Sequence, residues 1–274
     1  MMSRRLITAV RLLRPQSVIL MCLFLAIPIG ICSNSIVFAI VQIIPFFFLL
    51  CGEIALNDVC DIEKDRINKP QRPLVSGELS VCAALILALS VILASVVLSV
   101  VIFYNNIWRI VIFVGLLFLL SLYNIPGKLM PLIKTIITAS ATVLALSFLL
   151  TFDSLEHPVP SLCCAFSFIL GRELLMDIRD YDGDLMNGYK TLAIKFGKQT
   201  TFLAASFCFS IAIVFCALLL ISDYSLMRLM GMILFSFTTI ILVVIFSRTE
   251  EVKQQNQIAL LLWLPILEML LFII

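Results

Sequence analysis

Charge is the scarcest commodity in this chain: 13% of its 274 residues are Asp, Glu, Lys or Arg, about half the share of a soluble domain. Polar surface on that scale cannot cover a water-facing globule, so a soluble fold is excluded. There is one histidine and there are two tryptophans, which leaves little for imidazole-based metal or acid–base chemistry. Lys and Arg number 19 against 17 acids, so the basic excess that would recruit a nucleic acid is missing. Cysteine is present nine times, at 22, 32, 51, 60, 82, 163, 164, 208 and 216, but without a CxxC pair, and mostly in apolar runs. These side chains read as small hydrophobes.

What is abundant is apolar side chain, 62% of residues at a mean hydropathy of +1.15, and lipid is the solvent that accepts it. A hydrocarbon layer of about 30 Å takes about 20 helical residues, because unpaired backbone groups cannot face lipid. Nine stretches qualify, near 16–33, 36–56, 80–103, 108–124, 131–152, 159–177, 200–221, 226–247 and 257–274. The expected fold is an all-α membrane protein, nine helices around a central cavity, in a single domain over 1–274. The arginines before the first apolar run resemble a signal peptide's opening, but Leu25–Cys32 offers no small-residue cleavage site, and a retained helix is expected.

The joints between spans alternate in character. Those at Ser33–Ser35, Tyr104–Ile107, Asp153–Pro158 and Ser222–Ser225 are short, while the others hold 17 of the 19 basic residues, leaving Arg109 and Arg228 opposite. The positive-inside rule then places the N-terminus, the charged joints and the cavity mouth on the cytoplasmic side and the C-terminus outside. A bacterial cytoplasmic membrane is the simplest setting.

Acidic residues gather in two places, which hold eleven of seventeen carboxylates. One group is Glu53, Asp58, Asp61, Glu63, Asp65 and Glu78; the other is Glu173, Asp177, Asp180, Asp182 and Asp184. Helical spacing stacks Asn57, Asp61 and Asp65 on one face, and Glu173, Asp177, Asp180 and Asp184 on another. A charged row is ordinarily a solvated face, but two rows at matching membrane edges, each followed by basic residues, need a cationic partner. Hard oxygen donors without imidazole or thiol suit Mg²⁺, which completes its octahedron with phosphate oxygens. The basic residues behind the rows, Arg66, Lys69 and Arg72, then Lys190, Lys195 and Lys198, suit the rest of a diphosphate. Asn68–Gly77, with two prolines, forms a rigid cap that holds Arg72, and Tyr123 to Lys128 adds a hydroxyl and a cation.

At these residues the chain resembles the UbiA superfamily of intramembrane prenyltransferases. Asn57, Asp58, Asp61 and Asp65 match its NDxxDxxxD motif, and Asp180 and Asp184 its DxxxD motif. Arg72–Gly77 resembles the RPLxSG segment, Tyr123 with Lys128 the Tyr/Lys loop, Lys190–Gly197 the K[ST]xxxxxG stretch, and Arg14-Pro15 the start of the first helix. The form of the second motif, Arg172 to Asp184, is similar to the branch holding digeranylgeranylglyceryl phosphate synthases, chlorophyll synthases and homogentisate prenyltransferases. Met176 departs, standing where the lipid-forming members often carry Lys.

The resemblance implies prenyl transfer from an isoprenyl diphosphate. Two Mg²⁺ ions would sit on Asn57, Asp58, Asp61, Asp65, Asp177, Asp180 and Asp184, with Glu173 alongside. Asp61, Asp65, Asp180 and Asp184 would be catalytic, and Arg14, Lys69, Arg72, Tyr123, Lys128 and Lys190 would bind diphosphate. A hydrophobic, aromatic acceptor akin to a quinone precursor is the first expectation. Geranylgeranylglyceryl phosphate as acceptor, or cyclisation of the donor alone, is the alternative. An ion-coupled transporter is the rival class, but it would place polar groups near the midplane and on both faces.

Overall fold

The computed structural model describes residues 2–68, 71–124, 131–148, 151, 158–186, 188–222, 226–249, 252–262, 264–265 and 268. The regular elements among them are all helices: α1 (Met2–Leu13), α2 (Pro15–Ser33), α3 (Ile36–Cys60), α4 (Ile62–Asn68), α5 (Val81–Phe103), α6 (Ile107–Tyr123), α7 (Pro131–Ser147), α8 (Pro158–Arg179), α9 (Tyr181–Met186), α10 (Leu192–Phe196), α11 (Lys198–Ser222), α12 (Leu226–Ser247) and α13 (Val252–Leu261). Local chemistry explains their starts. Pro15, Pro131 and Pro158 open α2, α7 and α8, where the missing N–H has no helical partner to lose. Ser35, Ser80, Asn106 and Thr191 cap α3, α5, α6 and α10 by accepting from backbone N–H groups of the first turn.

Six stretches among the described residues are long and apolar enough to cross a membrane: Leu6–Leu23, which runs over the α1–α2 joint, Ile36–Cys60, Val81–Phe103, Pro158–Arg179, Lys198–Leu220 and Arg228–Ser247. Ile107–Tyr123 and Ile133–Ser147 are apolar and shorter. This is a multi-pass membrane protein. The chain divides into two compact units, Met1–Pro126 and Gly127–Ile274.

In the first unit, α3 packs on α5 and α2. The α3–α5 crossing is close because Gly52 has no side chain: a Cβ there would lie 2.6 Å from Ile92 Cγ1 and 3.1 Å from the Ala88 carbonyl oxygen. Nearer the start of α3, buried Phe46 meets Phe113 edge-on at 5.5 Å, with Phe103 at 6.1 Å. Because α3 carries the first acidic motif, Gly52→Val is expected to part the two helices and displace it. We expect a loss of about 2 kcal/mol from overpacking, seen as a lower melting temperature in detergent together with reduced activity.

In the second unit, α8 packs on α11 and α7. Gly171 plays the equivalent part, with a Cβ position 3.0 Å from the Ala205 carbonyl oxygen, and Phe168 lies between Phe209 at 5.1 Å and Phe235 at 5.7 Å.

Candidate active site

Both acidic motifs are built the same way. A long apolar helix ends, one Asp makes the joint, and a short polar helix carries a second Asp four residues on. Asp61 closes α3 and Asp65 lies in α4; Asp180 follows α8 and Asp184 lies in α9. Helical hydrogen bonding continues through each joint, Asp61 N–H to the Asn57 carbonyl and Asp65 N–H to that of Asp61, both at 2.9 Å. Asp180 to Met176 and Asp184 to Asp180 repeat this at 2.9 Å. The stacking expected from sequence spacing therefore holds, and Asn57 Nδ2 donates to Asp61 Oδ2 at 3.2 Å. Asp65 and Asp184, equivalent by position, are 3% and 2% exposed.

In the first unit the buried carboxylates of Asp58 and Asp65 are neutralised by arginines. Asp58, 2% exposed, accepts from Arg14 Nη2 at 2.6 Å and from Arg72 Nη1 at 2.9 Å, and Arg72 Nη1 also donates to Asp65. Arg14 reaches it from the α1–α2 joint, where its backbone is left-handed at φ 46°, unusual for a residue with a Cβ. Arg72 is aimed by its own loop. Leu74 is buried with Leu12, Ala55, Ala84 and Ala88, and the Ser76 N–H closes a turn onto the Arg72 carbonyl at 2.9 Å. Gly77 takes a left-handed φ of 75°. The far end of the loop is tied to α1 by Arg11, which donates to Glu78 at 2.7 Å and to the Gln71 carbonyl at 3.2 Å. That hydrogen bond is the main reason the Glu78 carboxyl titrates below its ordinary value, so the tie is present at neutral pH and is lost as pH falls through the lowered value.

A second polar chain runs under Asn57. Glu53, 4% exposed, accepts from Asn124 Nδ2 at 2.6 Å and from Ser121 Oγ at 3.2 Å, and Asn124 Oδ1 accepts from Asn57 Nδ2 at 3.1 Å. In the second unit Arg179 clasps Asp180 through Nε and Nη2, both at 2.8 Å, and Arg172 donates to Glu173 at 2.7 Å. Lys198 sits over the Tyr181 ring at 4.5 Å, and Lys190 is exposed. Lys69 and Lys128 lie outside the described residues.

Sequence spacing thus stacks Asn57, Asp61 and Asp65, while the fold brings Arg14 and Arg72 to Asp58, and in these contacts both arginines serve carboxylates. It misses the roles of Ser121, Asn124 and Arg179. The available signal was Glu53, one helical turn before Asn57, an acid inside an apolar run that required a donor. Among the described residues no three His, Cys, Asp or Glu side chains converge on one point. The donor set nevertheless fits Mg²⁺ by type: Asn57, Asp61 and Asp65, and Asp177, Asp180 and Asp184, offer only oxygen.

The described residues thus form an all-helical membrane fold in which an Asp-rich joint occurs twice. The UbiA prenyltransferase family model matches residues 17–265, and the chain belongs to that family. It is a prenyltransferase. It is 34% identical over 210 residues to the digeranylgeranylglyceryl phosphate synthase of Sulfurisphaera tokodaii, covering 74% of this chain and 73% of that protein. The enzyme of the same name from Methanobrevibacter smithii is 30% identical over 262 residues, 91% of this chain and 90% of that one. Among solved structures, a UbiA homologue from Archaeoglobus fulgidus bound to GPP and Mg²⁺ superposes with a TM-score of 0.78 at 20% identity, covering 97% of this chain and 99% of that one.

Proposed function

We propose that the protein transfers a geranylgeranyl group from its diphosphate to the free hydroxyl of geranylgeranylglyceryl phosphate, forming the second ether bond of a lipid. The observation that carries this is the agreement between two Asp-rich joints and relatives at 34% and 30% identity that bear the digeranylgeranylglyceryl phosphate synthase name. This acceptor replaces the aromatic one that was the first expectation. The relatives named above are archaeal, so a bacterial setting gains no support from them.

In this reading all of residues 1–274 form one prenyltransferase domain of nine spans, with the N-terminus and acidic joints cytoplasmic, in keeping with the distribution of the basic residues. Asn57, Asp61 and Asp65 in one unit, and Asp177, Asp180 and Asp184 in the other, hold Mg²⁺, with Glu173 supporting through Arg172. Two ions are in keeping with the two motifs. Bound there, Mg²⁺ supplies the positive charge that makes diphosphate a good leaving group.

The chain's own residues do the rest. Lys69, Tyr123, Lys128 and Lys190 bind the diphosphate oxygens not covered by metal, and Arg14 and Arg72 act on it through the carboxylates they hold in place. As the allylic C–O bond breaks, the acceptor hydroxyl attacks the cationic carbon, a new C–O bond forms, and diphosphate and a proton are released. Apolar side chains around the tail keep water from that carbon.

Purified protein with Mg²⁺ and labelled geranylgeranyl diphosphate should convert geranylgeranylglyceryl phosphate to the digeranylgeranyl product. It should leave 4-hydroxybenzoate and homogentisate unprenylated. An aromatic product would restore the first expectation, and a cyclic hydrocarbon from donor alone would make the enzyme a cyclase.

A further inference from the structure

Asn57 can serve a cation only through its carbonyl oxygen, and an amide side chain has two nearly isosteric orientations, one of which presents NH₂ instead. The polar chain beneath it decides between them. Glu53 is an ionisable acceptor buried to 4% exposure, and Asn124 Nδ2 donates to it at 2.6 Å and to the Glu53 carbonyl at 3.4 Å. That contact holds the NH₂ of Asn124 on the Glu53 side and turns Asn124 Oδ1 to Asn57, whose Nδ2 reaches it at 3.1 Å. The second hydrogen on Asn57 Nδ2 goes to Asp61 Oδ2 at 3.2 Å. Reversal of Asn57 would set oxygen against two oxygens.

We infer that Glu53 and Asn124 are positioning residues that fix the amide orientation of Asn57, so that its Oδ1 and the Asp61 carboxylate are presented together to Mg²⁺. Neither touches substrate. The inference rests on the assignment of Asn57 and Asp61 as Mg²⁺ ligands proposed above. Asn124 is itself held, 6% exposed at the end of α6 with its N–H bonded to the Leu120 carbonyl at 3.3 Å, so the order of donors is set by the fold before any ligand arrives. Ser121 Oγ occupies the other oxygen of Glu53 at 3.2 Å.

The test uses Mn²⁺ as probe, its free fraction counted by electron paramagnetic resonance on detergent-purified protein without donor or acceptor. Glu53→Leu with Asn124→Leu removes the buried carboxylate and its amide donor together, leaving Ser121 Oγ and one hydrogen of Asn57 Nδ2 without these acceptors, and this pair is expected to fold with a modestly lower melting temperature while weakening Mn²⁺ binding about tenfold, the worth of one oriented hydrogen bond. Half-saturating Mg²⁺ for turnover should rise in parallel, with the donor KM at saturating Mg²⁺ unchanged. Glu53→Gln is the rescue variant: its Oε1 accepts from Asn124 while its Nε2 donates to Ser121, so binding should stay at the wild-type level. If the double Leu variant does not fold, Asn124→Ser decides the same point, because a hydroxyl lacks the fixed donor and acceptor order of an amide. Wild-type Mn²⁺ affinity in the double variant or in Asn124→Ser overturns the inference, as does a loss in Glu53→Gln equal to theirs. Failure of the wild-type protein to bind Mn²⁺ removes the metal assignment and this inference with it.

Discussion

Asp61→Ala is expected to lower turnover by about 100- to 1,000-fold, the worth of one group stabilising transition-state charge, while the protein stays folded and monodisperse. The contrast with its neighbour Asp58 makes the expectation specific. Asp58 is 2% exposed and engaged by two arginines, so its negative charge is consumed by the structure. Asp61 is half-buried at the helix joint and receives one hydrogen bond, from the Asn57 amide. In the proposed reading its charge is left for the cation that arrives with substrate. Asp58→Asn should therefore damage stability, by leaving Arg14 and Arg72 without a carboxylate between them, and Asp61→Asn should damage turnover. Asp180→Ala is expected to behave as Asp61→Ala does, with the additional effect that Arg179 is released. Removal of Mg²⁺ by chelation should reproduce the Asp61 phenotype in wild type, reversibly. Activity in Asp61→Ala near the wild-type level would refute the role given to this joint, and a collapse of its melting temperature would make Asp61 structural like Asp58.

The difference between the two aspartates shows what spacing alone conveys. The i, i+4 stack of Asn57, Asp61 and Asp65 is a local property, and the hydrogen bonds through the joint preserve it. Span limits are local as well: runs expected at 16–33, 80–103, 108–124 and 226–247 fall within a residue of α2, α5, α6 and α12 at each end. The span expected at 36–56 continues to Cys60 because Asn57 and Asp58 complete the last turn of α3, their side chains finding partners that the apolar window could not foresee. The expected 131–152 is shorter, α7 ending at Ser147, and the run at 257–274 overlaps α13, beyond which only 262, 264–265 and 268 are among the described residues. α1 as a separate helix was not legible, since the break at Arg14 depends on a left-handed backbone with no glycine to announce it. Partners across 44, 67 and 71 residues, Arg14 with Asp58, Asn57 with Asn124 and Asn124 with Glu53, leave no trace in periodicity. They are products of packing.

Arg72→Ala is the variant for which sequence and structure make different forecasts. The resemblance of its loop to the RPLxSG segment assigns it to diphosphate, and predicts a raised donor KM in an otherwise sound protein. The structure gives its guanidinium to Asp58 and Asp65, 2% and 3% exposed, with Arg72 itself 14% exposed. Truncation then leaves one buried carboxylate with a single arginine and another without the Arg72 charge, and breaking a buried pair in this way costs about 3–5 kcal/mol. We expect a large fall in melting temperature in detergent, with loss of activity following from disorder of the α3–α4 joint. Arg72→Lys should recover part of the stability, since an ammonium is a point charge and cannot reproduce the arginine's planar fork. Asp65→Asn in the Arg72→Ala background should recover stability by removing the stranded charge and should not recover turnover, because Asp65 is also a proposed metal ligand. An Arg72→Ala protein that melts as wild type does and differs only in donor KM would return this side chain to the diphosphate, and would mean that the two carboxylates find other compensation within the first unit.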